Sequence, residues 1–187
     1  MANLVRIERV KTYLDLANTD TASDVLLQDL IARIGAWAER YCDRSFAKAT
    51  YTEQRDGDGT DTLLVRQWPF LSVASLYDDP LRVFGAATQI AAADFAIYAN
   101  QGMIRLDGRV FSVGIQNVKV TYEAGYADIP EDLQQAVVEL VADRFRNKEN
   151  QGIRSLAIGS YRVDYGEEEL PGEIRGVLDG YRRTRVS

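Results

Sequence analysis

Val118–Val138, VKVTYEAGYADIPEDLQQAVV, is the stretch whose reading decides the fold. Val118, Val120 and Tyr122 alternate with Lys119, Thr121 and Glu123, the period-two pattern of a strand with one buried face. Gly125 follows at a turn position, where a positive φ carries no Cβ penalty. Pro130 then opens a helix, because its fixed φ suits a first helical turn and its missing N–H has no partner to lose there. Glu131 and Asp132 set negative charge at the positive end of that helix dipole. Leu133, Ala136, Val137, Leu140, Val141 and Phe145 continue as one apolar stripe. Gly125 and Pro130 thus mark the joint where a β-rich region gives way to a helical one.

Upstream, Arg6–Leu16 reads as a short helix with Ile7, Val10 and Leu14 on one face. After a turn, Thr21 and Asp24 approximate a capping box, and Leu27, Leu30, Ile31, Ile34, Ala38 and Tyr41 carry a second helix to about Cys42. Residues 46–126 change character to short β-prone runs punctuated by Gly, Asp and Pro: ATYTEQR, TLLVRQW, SVASLYD, DFAIYA, MIRLDG and NVKVTYE. Downstream, SLAIGSYRVDY predicts a hairpin around Gly159, and Ile174, Val177, Leu178 and Tyr181 predict a last helix. The expected class is α+β. A helical core of residues 1–45 and 127–187, made of an N-terminal helical hairpin, a long helix and a C-terminal helix, holds a β-rich antiparallel insertion of residues 46–126, all as one domain. Whether the central strands form one sheet or two does not follow from the pattern.

Composition narrows the function. With 187 residues, 46% hydrophobic and 27% charged, the chain can bury a sizeable core. No apolar run reaches the roughly 20 residues that cross a bilayer, and MANLVRIERVK lacks the apolar core of a signal peptide, so the expected setting is the cytoplasm or a particle assembled there, without a membrane. Cys42, the single cysteine, cannot form an internal disulfide and reads as a small packing residue. The balance of 22 basic and 28 acidic residues, formal charge −6, argues against a phosphate-gripping surface and so against a nucleic-acid-binding regulator. The same charge suits a wall past which DNA slides.

Catalysis has little to build on. The absence of histidine removes the commonest general base, metal ligand and triad member. No glycine-rich phosphate loop is present, and Asp56–Asp61 fails as a calcium loop because the sixth and twelfth positions are Asp61 and Gln67. The expectation is a protein that is not an enzyme, with no cofactor and no metal.

The Val118–Ala136 segment, with Val118, Val120, Tyr122, Gly125, Tyr126, Pro130, Leu133 and Ala136 at the matching positions, resembles the head-to-tail connector (adaptor) proteins of tailed bacteriophages and prophages. ERYCDRSF at the end of the second helix, WPFLSVASLYDD, the SLAIGSYRVDY hairpin and LPGEIRGVLDGYRR extend the resemblance over nearly the whole chain. It implies a structural virion protein of the neck, assembled in the bacterial host cytoplasm. It further implies a dodecameric ring on the portal protein that extends the DNA channel without gripping DNA and seats the stopper or tail. A head-closure or tail-completion protein of the same neck is the alternative reading.

The resemblance also weights particular residues. Tyr181, Arg182, Arg183 and Arg185 are expected as a portal-docking tail, since family members engage the portal through C-terminal segments. Asp164, Glu167, Glu168 and Glu169 read either as a solvated loop or as acids facing the channel or a neighbouring subunit. Trp37, roughly 60° from the centre of its helix's apolar stripe at 100° per residue, is the candidate for subunit packing. Trp68, Phe70 and Tyr77 are expected mostly in the core.

Overall fold

A computed structural model describes residues 3–147, 155–158, 161–164 and 171–182. The chain divides into two compact units, one made of Met1–Arg44 and Ile129–Ser187, the other of Ser45–Asp128.

In the helical unit, α1 (Ile7–Tyr13) and α2 (Asp24–Cys42) come from the N-terminal segment, and α3 (Glu131–Arg146) and α4 (Gly172–Tyr181) from the C-terminal one. The predicted helical core of N-terminal hairpin, long helix and C-terminal helix forms, with α3 packed against each of the other three. The buried side chains of α3 are Leu133, Ala136, Val137, Val138, Val141 and Ala142, while Leu140 and Phe145 are only half-buried. On α2, Leu27, Leu30, Ile31, Gly35, Ala38 and Cys42 face inward, and Ile34 and Tyr41 lie at the margin.

Local chemistry accounts for the helix ends. α1 stops at Tyr13, three residues short of expectation, because Asp15 turns to φ 58° and the Leu16 N–H bonds back to the Lys11 carbonyl. The capping box at Thr21 does not form: Ser23 is the N-cap, and its carbonyl accepts the Leu27 N–H at 2.9 Å. Pro130 sits one position earlier than predicted. It is the N-cap of α3, extended at φ −53° and ψ 140°, and its carbonyl accepts the first helical bond from Gln134 at 2.9 Å. At the other end of α2, Asp43 adopts φ 53° and the Arg44 N–H returns to the Glu39 carbonyl.

The β unit contains two sheets. β1 (Ala49–Gly57) and β3 (Phe70–Asp78) flank β6 (Gly114–Ala124), all antiparallel, in the order β1-β6-β3. β2 (Thr62–Leu64), β5 (Met103–Leu106) and β4 (Phe95–Tyr98) form the second, in the order β2-β5-β4. β7 (Ser155–Ile158) and β8 (Tyr161–Asp164) pair as the predicted hairpin. β6 is central because Val118, Val120, Tyr122 and Ala124 are all fully buried, just as the alternation required. Each such valine contributes about 1.5–3 kcal/mol by leaving water. Both sheets share one core, in which Leu63, Ile104 and Leu106 meet Leu76, Phe111 and β6.

The Gly125 backbone explains why no other residue serves there. Its φ is 107°, and a Cβ at this position would lie 2.5 Å from the Ala47 carbonyl oxygen. The closeness comes from the strand crossing: the Gly125 N–H bonds to the Pro69 carbonyl, and the Tyr126 N–H to that of Phe46.

Candidate interaction surfaces

The residues singled out from sequence fall in different places. Trp37 is half-buried on α2, its ring centroid 5.5 Å from that of Tyr41. Tyr181 and Arg182 are held onto the helical unit: the Tyr181 hydroxyl donates to Asp132 at 2.7 Å, and the Arg182 guanidinium lies 5.5 Å over the Tyr41 ring. The Tyr41 hydroxyl in turn donates to Asp179 at 2.7 Å, a bond that raises its phenol above the ordinary value. Glu167, Glu168, Glu169, Arg183 and Arg185 lie outside the described residues, and Asp164 ends β8 in register with Ser155. Phe70 is buried edge-on to Tyr122, whereas Trp68 and Tyr77 are half-buried.

The carboxylates of the Asp56–Asp61 turn are engaged by the chain itself. Asp56 accepts the Gln116 N–H, Asp58 accepts the Thr60 N–H and hydroxyl, and Asp61 pairs with Arg105 at 2.7 Å. The Arg105 guanidinium, then the Thr62 hydroxyl, hold Asp61 below the usual carboxylate range. Among the described residues no cluster of three or more His, Cys, Asp or Glu side chains is arranged to hold a metal ion.

A surface that sequence reasoning missed lies at one end of the β1-β6-β3 sheet. It is built on three adjacent polar residues, Asp78, Asp79 and Asn117. Buried Asp79 accepts the N–H groups of Leu81 at 2.9 Å, Val83 at 3.0 Å and Phe84 at 2.7 Å. Burial alone pushes this carboxyl up, but those three N–H groups and the Thr88 hydroxyl outweigh it and leave the group below its ordinary range. Asp78 accepts the Ser112 N–H at 2.8 Å. Asn117, buried on β6, donates to the Ser112 carbonyl at 2.7 Å and accepts the Gly57 N–H at 2.9 Å. Gly57 and Gly114 are required by this crowding: a Cβ on Gly57 would lie 1.9 Å from the Ser112 carbonyl oxygen.

The consequence is two pinned loops whose aliphatic side chains point to solvent. Leu81 is 83% exposed and Val83 76% on the first, and Val110, Val113 and Ile115 are 56%, 80% and 74% exposed around the second. Arg82, Phe84 and Gln116 occupy the left-handed region at φ 60°, 55° and 51°. Each such non-glycine residue costs roughly 1–2 kcal/mol, which the backbone bonds to Asp79 and Asp56 offset. Phe84 packs edge-on to Tyr77, with the Lys119 ammonium 5.1 Å above its ring. The exposed Arg82 and Arg109 have no ion-pair partner among the described residues. The sequence signal was available in LRVF and RVFSVGI, apolar runs that directly follow the DDP and DG turn residues.

Comparisons with known proteins bear on the whole chain. No curated protein matches it. A chain in the solved structure titled "Neck of empty GTA particle computed with C6 symmetry" has a similar fold, with TM-score 0.64 and 18% identity over 100% of this chain and 95% of that one. A chain of "Virion of native gene transfer agent (GTA) particle" gives TM-score 0.62 and 18% identity over 97% and 90%. A chain of "Neck of native GTA particle computed with C12 symmetry" gives 0.57 and 19% over the same shares. The family model described as "Head completion protein" matches residues 3–184, and the chain belongs to the head completion protein family.

Proposed function

We propose that this protein is the head-to-tail connector of a tailed-phage-like particle. Copies form a ring on the portal vertex, lengthen the DNA channel and present the seat for the stopper or tail. The observation that carries this reading is the match to the head completion family over residues 3–184, almost the full chain. Fold similarity along the same length to chains of particle necks supports it, as does the neck resemblance of the Val118–Ala136 segment.

The mechanism is assembly. A cyclic ring needs one surface of each copy to meet a different surface of the next, with a rotation that closes, and the portal acts as the template. The formal charge of −6 keeps passing DNA from adhering. Co-sedimentation of the purified protein with the portal encoded in the same genome tests the reading, with every other neck protein left out. The connector binds the portal directly. A head-closure or tail-completion protein, the second reading, binds only after another neck protein has been added.

A further inference from the structure

We infer that Asp107–Gly108 is a modification site: of the four Asp-Gly pairs in the sequence, it is the one that converts to isoaspartate while the protein stays folded. This chemistry belongs to the chain itself and does not depend on the connector reading.

The reaction needs no partner. The glycine amide nitrogen attacks Cγ of the preceding aspartic acid, a C–N bond forms, and the carboxyl hydroxyl leaves as water to give a succinimide ring. Water then opens the ring at either carbonyl. Opening at the main-chain carbonyl leaves the chain running through Cγ, longer by a single backbone atom, with the carboxylate charge kept. Glycine in second place has no side chain to obstruct the attack. A fold slows the step wherever it holds the carboxyl or the amide in hydrogen bonds, because those bonds must be released first.

The fold ties down the other three pairs. Asp56 accepts the Gln116 N–H at 2.8 Å, and the Gly57 amide that would attack it is held by the buried Asn117 side chain at 2.9 Å. Asp58 accepts the Thr60 N–H at 2.9 Å and the Thr60 hydroxyl at 2.7 Å. Those bonds also hold Asp58 below the usual carboxylate range, so less of the reactive acid form is present. Asp179 accepts the Tyr41 hydroxyl at 2.7 Å, and Gly180 lies within α4, where N–H groups belong to the helical ladder.

Asp107–Gly108 is open on both sides of the reaction. Both residues are exposed in the turn after β5, and among the described residues neither the Asp107 carboxylate nor the Gly108 N–H has a hydrogen-bond partner. Gly108 turns to φ 65°, and nothing lies within 4 Å of where a Cβ would stand.

The same geometry sets what the product does. The Asp107 N–H bonds to the Asp94 carbonyl at 2.9 Å and the Phe111 N–H to the Thr60 carbonyl at 2.8 Å, so the turn is anchored at both ends. The added backbone atom falls between these anchors, where Gly108, Arg109 and Val110 are all exposed and can absorb it. Buried Leu106 and Phe111 keep their places in the core. Isomerisation therefore reshapes the loop that presents Arg109 and Val110 without unfolding the sheets.

The test ages the purified full chain at mildly acidic pH, with a parallel sample in urea. Isoaspartate is read by methyl transfer from S-adenosylmethionine with an isoaspartyl carboxyl methyltransferase and located by peptide mass spectrometry. In urea all four pairs should label at similar rates. In the folded chain Asp107 should keep that rate while Asp56, Asp58 and Asp179 fall behind by roughly tenfold, the effect of releasing a hydrogen bond first. Asp107→Ser should abolish the folded-state label, and the aged, unaltered chain should melt at its original temperature. Folded-state label spread evenly over the pairs, or an Asp107 that labels in urea and not in the folded chain, would overturn the assignment. A melting temperature that falls as Asp107 labels would overturn the anchored turn.

Discussion

Tyr122, fully buried on β6, donates its hydroxyl hydrogen to the Glu53 carboxylate on β1. The same hydroxyl accepts the Gln67 N–H at 3.1 Å, Glu53 also accepts the Arg66 N–H at 3.0 Å, and Arg55 stands 3.1 Å from the second carboxylate oxygen. One side chain of the central strand thus organises the segment that follows β2. Tyr122→Phe removes the donor and leaves Glu53 with a partner missing in a nearly closed site, at an expected cost of about 1–3 kcal/mol in urea unfolding.

Alkaline pH probes the same group. Burial, then the bond to Glu53, raise the Tyr122 phenol well above its ordinary value of 10.0. The unfolded chain therefore releases this proton before the folded one, and stability present below pH 10 is lost as pH rises beyond it. Chemical denaturation at pH 9 and above should show that slope in the unaltered protein and a reduced slope in Tyr122→Phe.

Gly125 allows a paired test of backbone geometry. Gly125→Val forces a positive φ on a branched residue and drives its Cβ toward the Ala47 carbonyl, with an expected loss on the order of 1 kcal/mol or more. Gly176→Ala, on the open side of α4, meets nothing within 4 Å and should stabilise by about 0.5–1 kcal/mol. Equal effects at the two positions would contradict the close approach of the chain at Gly125.

Cys42 is fully buried, and its Sγ donates to the Leu178 carbonyl at 3.4 Å. Burial pushes the thiol up from 9.0 to about 11. The folded protein should resist thiol reagents at pH 8 and react only at its opening rate, with full reactivity in denaturant. The raised value also means that stability is lost as pH climbs from about 9 to about 11.

Two residues of the expected docking tail are tied to the helical unit. Tyr181 and Arg182 are bound to Asp132 and Tyr41, so they belong to the folded unit. Removal of residues 183–187 should leave the melting temperature unchanged and weaken portal attachment. Unchanged attachment would discard the docking tail.

What was legible in the sequence was whatever depends on local periodicity. The Val118–Glu123 alternation located the central strand, and the stripes of α2 and α3 located their inner faces to within a residue or two. The division into two sheets was not legible, because β1 pairs with β6 across the whole unit and β3 carries two register shifts. Nor was the loop surface. Asp79 reads as an ordinary turn residue until its burial and its three backbone donors are seen, and Val113 and Ile115 follow the alternation of a strand without revealing that they face water. Pro130 shows the limit at a boundary: its φ suits both N-cap and first turn, and only ψ 140° separates them.

Electron microscopy of the portal mixed with this protein alone tests the central claim most directly. The account predicts an added ring of density on the outward end of the portal, coaxial with the channel, with repeating copies in head-to-tail contact. A portal that stays bare while remaining competent to join its other partners would contradict it.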